Sequence, residues 1–155
     1  MIRHATVDDA SRIAEILVYT KRINYRRIFQ NDKASFGEMQ VYPLAKEFIE
    51  KPDRLENVWV YDDEFVKGMI RINREEIVEL YVDTFFQNEG IGASLIKYAI
   101  ERMKCDRLWV LEKNTKAIQF YKRYGFKLTG EKKLEEGTTE YVIKMKREQL
   151  TPNDR

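Results

Sequence analysis

The chain has 155 residues, 43% of them apolar and 12% aromatic, enough for one compact domain that buries about two-thirds of its unfolded surface. Its 28 basic residues stand against 26 acidic ones, a net charge of +2, which lacks the basic excess of a nucleic-acid binder. No apolar run approaches the roughly 18 residues of a membrane span, the opening MIRHATVDDAS has no apolar signal core, and the single cysteine, Cys105, has no partner for an internal disulfide; the expectation is a cytoplasmic protein with neither nucleic acid nor membrane as partner.

In chain order, Ile2 to Thr6 reads as a short strand, and Thr6 followed three residues later by Asp9 is a capping-box-like start for an amphipathic helix through Ile13, Ile16 and Leu17. From Tyr19 to Pro43 the pattern blurs, with Tyr25, Phe29, Phe36 and Tyr42 among polar residues, and one or two irregular helices with loops are expected. Helical spacing returns at PLAKEFIEK, with Pro43 acceptable in a first turn, and stops near Lys51-Pro52. NVWVYDDEFVKGMIRINREEIVELYV then holds three β-branched or aromatic runs, split at Asp62-Asp63 and at Asn73 to Glu75: an antiparallel meander. Leu95, Ile96, Ala99, Ile100 and Met103 mark a buried helix face, RLWVL a strand, and NTKAIQFYKRYG a helix closed by Gly125. Two strands follow, Phe126 to Gly130 and Thr139 to Met145, around a charged loop near Glu135 to Gly137. The expected order is strand, helix, helix, three strands, helix, strand, helix, two strands, in one domain over residues 1–148 with a frayed tail at 149–155.

Between the third strand of the meander and the next helix lies QNEGIGASL, Gln87 to Leu95. A P-loop needs Gly-Lys-Ser/Thr, whereas Gly92 is followed by Ala93-Ser94; the dinucleotide fingerprint needs a third glycine where Leu95 stands. What remains is Gln87-x-x-Gly90-x-Gly92, where residues without a Cβ permit close approach and the first helical N–H groups have no intrahelical partner. A pyrophosphate would be favoured there by the helix dipole, by up to about 1–2 kcal/mol.

Gln87, Gly90, Ile91 and Gly92 after IVELYVD resemble motif A of the GNAT superfamily of acyl-CoA N-acyltransferases, Gln/Arg-x-x-Gly-x-Gly/Ala. About 22 residues on, Asn114-x-x-Ala117-x-x-Phe120-Tyr121-x-x-x-Gly125-Phe126 resembles motif B. The resemblance covers nearly the whole chain. It implies an α/β (α+β) fold with a mixed, mostly antiparallel sheet of about six or seven strands flanked by about four helices, and acetyl-CoA as acetyl donor. It also implies a cofactor site over Gln87, Asn88, Glu89, Gly90, Ile91, Gly92, Ala93 and Ser94, with Asn114, Ala117, Phe120 and Tyr121 from the second motif. Backbone groups of Leu80 and Val82, with Tyr81 between them, are expected at the acetyl carbonyl and pantetheine arm, on a strand that splays from its neighbour. Asn88 and Glu89 depart from the basic or glycine residues common after the Gln, and a carboxylate there weakens a pyrophosphate site.

Acetyl transfer to an amine needs a deprotonated nucleophile, a stabilised oxyanion and a proton for the departing thiolate. By resemblance Tyr121 is the candidate for the thiolate. For the base, Glu79 lies closer to the acetyl site, whereas Glu76 stands eleven residues before Gln87, where the histone-modifying branch keeps its glutamate. On a regular strand the two have opposite parity unless a bulge intervenes. The expected reaction is direct attack by a primary amine of a small molecule or peptide in a ternary complex; a non-catalytic acyl-CoA sensor or scaffold is the alternative. In the family the acceptor is bound by segments equivalent to Tyr19–Tyr42 and about Lys132–Thr138, where the aromatics and Arg22, Arg26 and Arg27 suggest a pocket able to take a carboxylate. Homodimers are common in the family. His4 has no neighbour at metal-ligand spacing, so no metal is expected, and Cys105 has no histidine to activate it. Lys113, Lys116 and Arg123 are either solvated or close to the CoA 3′-phosphate.

Overall fold

The computed structural model describes residues 1–148, and the tail expected at 149–155 lies outside the described residues. The elements are β1 (Ile2–His4), α1 (Ala10–Phe29), α2 (Val41–Glu50), β2 (Val58–Asp63), β3 (Phe65–Asn73), β4 (Glu76–Val82), α3 (Ile91–Glu101), β5 (Arg107–Leu111), α4 (Thr115–Arg123), β6 (Lys127–Leu134) and β7 (Tyr141–Lys146). Their order is the expected one. The seven strands form one sheet, β1-β2-β3-β4-β5-β7-β6, antiparallel at every joint except β4–β5.

Each face of the sheet carries its own apolar layer. On one, Ile70, Ile72 and Ile77 meet Leu95, Ile96 and Ala99 of α3; on the other, Val58, Val60 and Met69 meet Ile13 and Leu17 of α1 and Phe48 of α2. Each such side chain contributes about 1.5–3 kcal/mol when fully buried. The layer under α3 is thin because β3 carries Gly68 there: a Cβ would stand 3.0 Å from Ile91 and 3.2 Å from Leu95.

The start of α1 is tied down by charge. The Thr6 N–H donates to Asp9 at 2.8 Å, and Arg3 forks onto both Asp9 oxygens at 2.9 Å while its Nε donates to Asp62 at 3.0 Å. The hydrogen bond from Arg3 holds the buried Asp9 carboxyl below the usual range, against the opposing effect of burial. One cluster therefore joins β1, the turn before α1 and β2.

Three boundaries differ from the sequence reading. The stretch after Tyr19 is not irregular at first: α1 continues to Phe29, and only then does a π-turn, Lys33–Glu38, lead to α2. Arg22 stitches this segment by donating to the carbonyls of Ser35 at 2.9 Å and Met39 at 3.0 Å, a contact spanning 13 and 17 residues that local periodicity does not carry. Asp62 and Asp63 stay in β2, and the chain reverses at Glu64, which takes φ 68°. β6 runs on to Leu134 because Gly130, at φ 88°, absorbs a register shift without ending the pairing with β7.

Candidate active site

β4 and β5 pair only at Glu76–Arg107 and Ile77–Leu108. Beyond Ile77 they part, although β4 stays paired to β3 as far as Val82 and β5 to β7 as far as Leu111. The result is a wedge-shaped gap in mid-sheet. Peptide groups alternate in direction along a strand. The N–H of Asp83 reaches β3, donating to the Lys67 carbonyl at 2.9 Å, and the Tyr81 carbonyl would stand 3.2 Å from a Cβ on Gly68 of β3. By alternation, the peptide groups of Leu80 and Val82 face the gap, outside any strand ladder.

At the end of the gap stands the mouth of α3. Asn88 and Gly90 take the left-handed conformation at φ 65° and 82°, reversing the chain so that α3 begins at Ile91. The first helical bond runs from the Ser94 N–H to the Gly90 carbonyl at 3.0 Å, and the Ser94 hydroxyl donates to the same oxygen at 3.1 Å. The N–H groups of Ile91, Gly92 and Ala93 therefore precede the helical ladder, whereas that of Ser94, expected among the holding amides, is engaged within the helix. A Cβ on Gly90 would meet nothing within 4 Å, so the requirement there is conformational. Gly92 seats the mouth against its neighbours: its Cβ position lies 3.5 Å from Phe120 and 3.7 Å from Val82. Gln87 and Glu89 are exposed. Glu89 lies in the field of Lys67, whose pKa is raised chiefly by its hydrogen bond to Asp63 and also by the Glu89 charge.

The second motif forms the other wall. Asn114 caps α4, its Oδ1 accepting the Ala117 N–H at 3.2 Å. Phe120 is half-buried under Gly92. The ring of Tyr121 is buried edge-on against Phe120 and Phe126, with centroids 5.4 and 6.0 Å away. Burial pushes the Tyr121 phenol up to about 12.

A bulge settles the parity of the two glutamates. Asn73 faces Glu76 and Ile72 faces Ile77, but Arg71 faces Glu79, which leaves Val78 as the extra residue. Glu76 and Glu79 thus share the face that carries Tyr81 and looks toward α1. They do not share surroundings. Glu79 is largely buried and bridges two cations, Lys21 of α1 and Arg71 of β3, each at 3.3 Å. Glu76 lies at the opposite end of β4, about 20 Å from Val82 at roughly 3.3 Å per residue. Tyr81 and Tyr25 stand close enough to Glu79 to feel its charge, and burial first, then that charge among others, raises Tyr81 well above its ordinary value; burial likewise raises Tyr25.

Sequence reasoning missed Lys21 and Arg71, whose meeting with Glu79 depends on helix-to-sheet packing that no local pattern signals. Of the arginines suggested for an acceptor carboxylate, Arg22 is occupied by main-chain carbonyls and Arg26 pairs with Asp32 at 3.2 Å. Lys113 pairs with Glu140 at 3.0 Å, and Arg123 lies over the Phe120 ring at 5.8 Å. His4 stacks on Trp59 with centroids 4.6 Å apart. Cys105 is buried, and desolvation pushes its thiol up to about 12. Among the described residues no three His, Cys, Asp or Glu gather as metal ligands, and no helix is long and apolar enough to cross a membrane.

A mixed sheet parted at its one parallel joint, with a helix mouth of free amides beside the opening, defines the GNAT architecture that the two motifs resemble. The family model for the acetyltransferase (GNAT) domain matches residues 24–148, and the chain belongs to this family. Over 79 residues it is 32% identical to the peptidyl-lysine N-acetyltransferase YjaB of Salmonella typhimurium, covering 51% of this chain and 54% of the relative. Over 77 residues it is 30% identical to a spermine/spermidine N(1)-acetyltransferase of Bacillus subtilis, covering 46% and 47%. The chain thus spans about half the length of these curated relatives. Among solved structures, apo YjaB of Escherichia coli superposes with TM-score 0.68 at 19% identity over 94% of this chain and 95% of that one. The PaiA N-acetyltransferase of Thermoplasma acidophilum, solved with coenzyme A, gives 0.64 at 21% identity over 94% and 98%. At such identities these two likenesses speak for the fold.

Proposed function

We propose that the protein is an acetyl-CoA-dependent N-acetyltransferase that moves the acetyl group to a primary amine of a small molecule or peptide by direct attack in a ternary complex. The observation that carries this reading is the mid-sheet gap faced by the peptide groups of Leu80 and Val82, opening beside the amides of Ile91, Gly92 and Ala93. These donors suit the two ends of one ligand: the helix mouth a diphosphate, and the strand edge a pantetheine arm and an acetyl carbonyl that gains negative charge as the amine attacks. The named relatives act on amines, a peptidyl lysine in one case and spermine or spermidine in the other.

In this reading Gln87, Asn88 and Glu89 border the diphosphate, Ser94 locks the first turn, and Asn114, Ala117 and Phe120 shape the far wall. Tyr121 serves the departing sulfur. Full proton transfer from a phenol at about 12 to a thiolate near 8.5 is about 5 kcal/mol uphill, so Tyr121 acts as a hydrogen-bond donor to the developing charge, and the proton reaches the thiolate from solvent. Glu79, oriented by Lys21 and Arg71 beside the gap, is better placed than Glu76 to receive the amine proton through a water. Screening primary amines and lysine peptides with detection of released thiol tests the reading. Acetylated product from at least one class is expected; tight coenzyme A binding with no acceptor turned over would favour a sensor instead.

A further inference from the structure

One phenol at the gap has no part in the chemistry above. Tyr81 lies between Leu80 and Val82, whose peptide groups face the gap, so its side chain leaves the strand between them, roughly perpendicular to the sheet. On the β3 side its neighbour is Met69, part of the layer under α1. On the other side no strand stands against it, because the pairing of β4 to β5 ends at Ile77–Leu108. Tyr81 is half-buried, and its hydroxyl makes no hydrogen bond among the described residues. The hydroxyls of Thr20 and Ser35 are sealed without a partner, whereas that of Tyr81 keeps accessible surface. Burial above all raises the Tyr81 phenol, and the titratable groups that also act on it lie on both faces of the sheet: Glu79, Tyr25 and Arg71 on the α1 face, Tyr121 on the other. A group within reach of both faces stands at the opening between them.

We infer that Tyr81 is a further catalytic residue, whose hydroxyl oxygen accepts a hydrogen bond from the attacking nitrogen on the acceptor side of the gap, opposite Tyr121. A neutral primary amine has one lone pair and two N–H groups. With one N–H held by Tyr81 and the other by the water that leads to Glu79, the lone pair is left facing the acetyl carbonyl at the strand edge. The C–N bond forms, the C–S bond breaks, the surplus proton of the nitrogen leaves through that water to Glu79, and Tyr81 keeps its own proton. The raised phenol suits this task, since it stays a neutral hydroxyl at working pH and is not itself the base. Tyr25, the other phenol near Glu79, is less suited: it stands on α1, also within reach of Glu135 in the turn after β6. The inference rests on the N-acetyltransferase reading and gives a role to a side chain which that reading leaves unused.

The test uses hydroxylamine and N-methylhydroxylamine, nitrogen nucleophiles small enough to enter without acceptor-specific contacts and differing by one N–H. Thiol release at saturating acetyl-CoA, less the uncatalysed rate, is followed in the intact chain, in Tyr81→Phe and in Tyr25→Phe, with acetyl-CoA affinity read by calorimetry. In the unaltered protein the kcat/KM preference for hydroxylamine, taken relative to the uncatalysed ratio, is expected to be about tenfold or more. Tyr81→Phe should reduce it to about twofold with acetyl-CoA affinity held within about twofold, and Tyr25→Phe should leave the preference in place. A merely structural loss would lower both nucleophiles alike and leave their ratio unmoved. A preference absent from the start, unmoved by Tyr81→Phe, or moved only by Tyr25→Phe would overturn the inference while leaving N-acetyl transfer intact. Acetyl-CoA bound with no catalysed thiol release to either nucleophile would overturn the catalytic reading, and the role of Tyr81 with it.

Discussion

Gly90→Ala isolates the helix mouth from the rest of the site. Gly90 sits at φ 82° with open space around its Cβ position, so alanine meets no clash and costs only the left-handed backbone, about 1–2 kcal/mol. Gly130 offers a matched control, at φ 88° with equally open surroundings on the edge strand β6. With the left-handed angle kept, both variants should lose similar stability, roughly 3–6 °C in Tm for a chain of this size. Only Gly90 sets the direction in which the amides of Ile91, Gly92 and Ala93 point. If the mouth relaxes out of the left-handed turn to relieve the strain, the amides rotate away, and an equal free energy appears as a loss of coenzyme A affinity, about 5- to 30-fold in Kd. Thermal melts and calorimetry on the two variants read the two quantities separately. A Gly90→Ala melting loss clearly smaller than the control's, which marks a relaxed mouth, together with coenzyme A affinity unchanged within twofold would refute the assignment of the diphosphate to this mouth.

Tyr121→Phe should lower kcat while leaving coenzyme A affinity within twofold; unchanged turnover would remove the phenol from the reaction. The same variant has a pH signature: with the folded phenol raised to about 12 above an unfolded value near 10, its contribution is complete below pH 10 and is lost as pH rises through 12, about 2–3 kcal/mol in all. Alkaline melts of Tyr121→Phe should therefore fall less steeply between pH 10 and 12. At the acid end the sign reverses: Asp9 is held low by Arg3, so its contribution is present above about pH 4 and lost as pH falls through the lowered value. Asp9→Asn should be less stable than the parent at pH 7, with the gap narrowing as pH falls below about 4, as read by melts across the acid range. The only thiol, Cys105, should resist a thiol reagent at pH 8 in the native protein and react fully in denaturant; rapid native reaction would contradict its burial. Lys21→Met removes one of the two cations that orient Glu79, and should change kcat more than coenzyme A affinity; an unchanged kcat would mean that Glu79 takes no part in the proton's path.

The order of elements and the glycine turn were legible in the sequence because each is a local device. Gly90 serves its own backbone angle, and Leu95, Ile96 and Ala99 repeat at the helical period that buries them; Asn114 stood out only as a motif residue, and its role as the cap of α4 came from the structure. The reading failed where distant segments decide the conformation. Arg22 holds the turn before α2, and Gly130 lets β6 continue past a glycine that looked like an end. Which glutamate faces which side depended on one unpaired residue, Val78, and which is buried among cations depended on α1 lying across β4. The gap itself is a tertiary fact: β4 and β5 pair at only two positions while β4 stays on β3 to Val82 and β5 on β7 to Leu111, and each strand read alone is an ordinary apolar run.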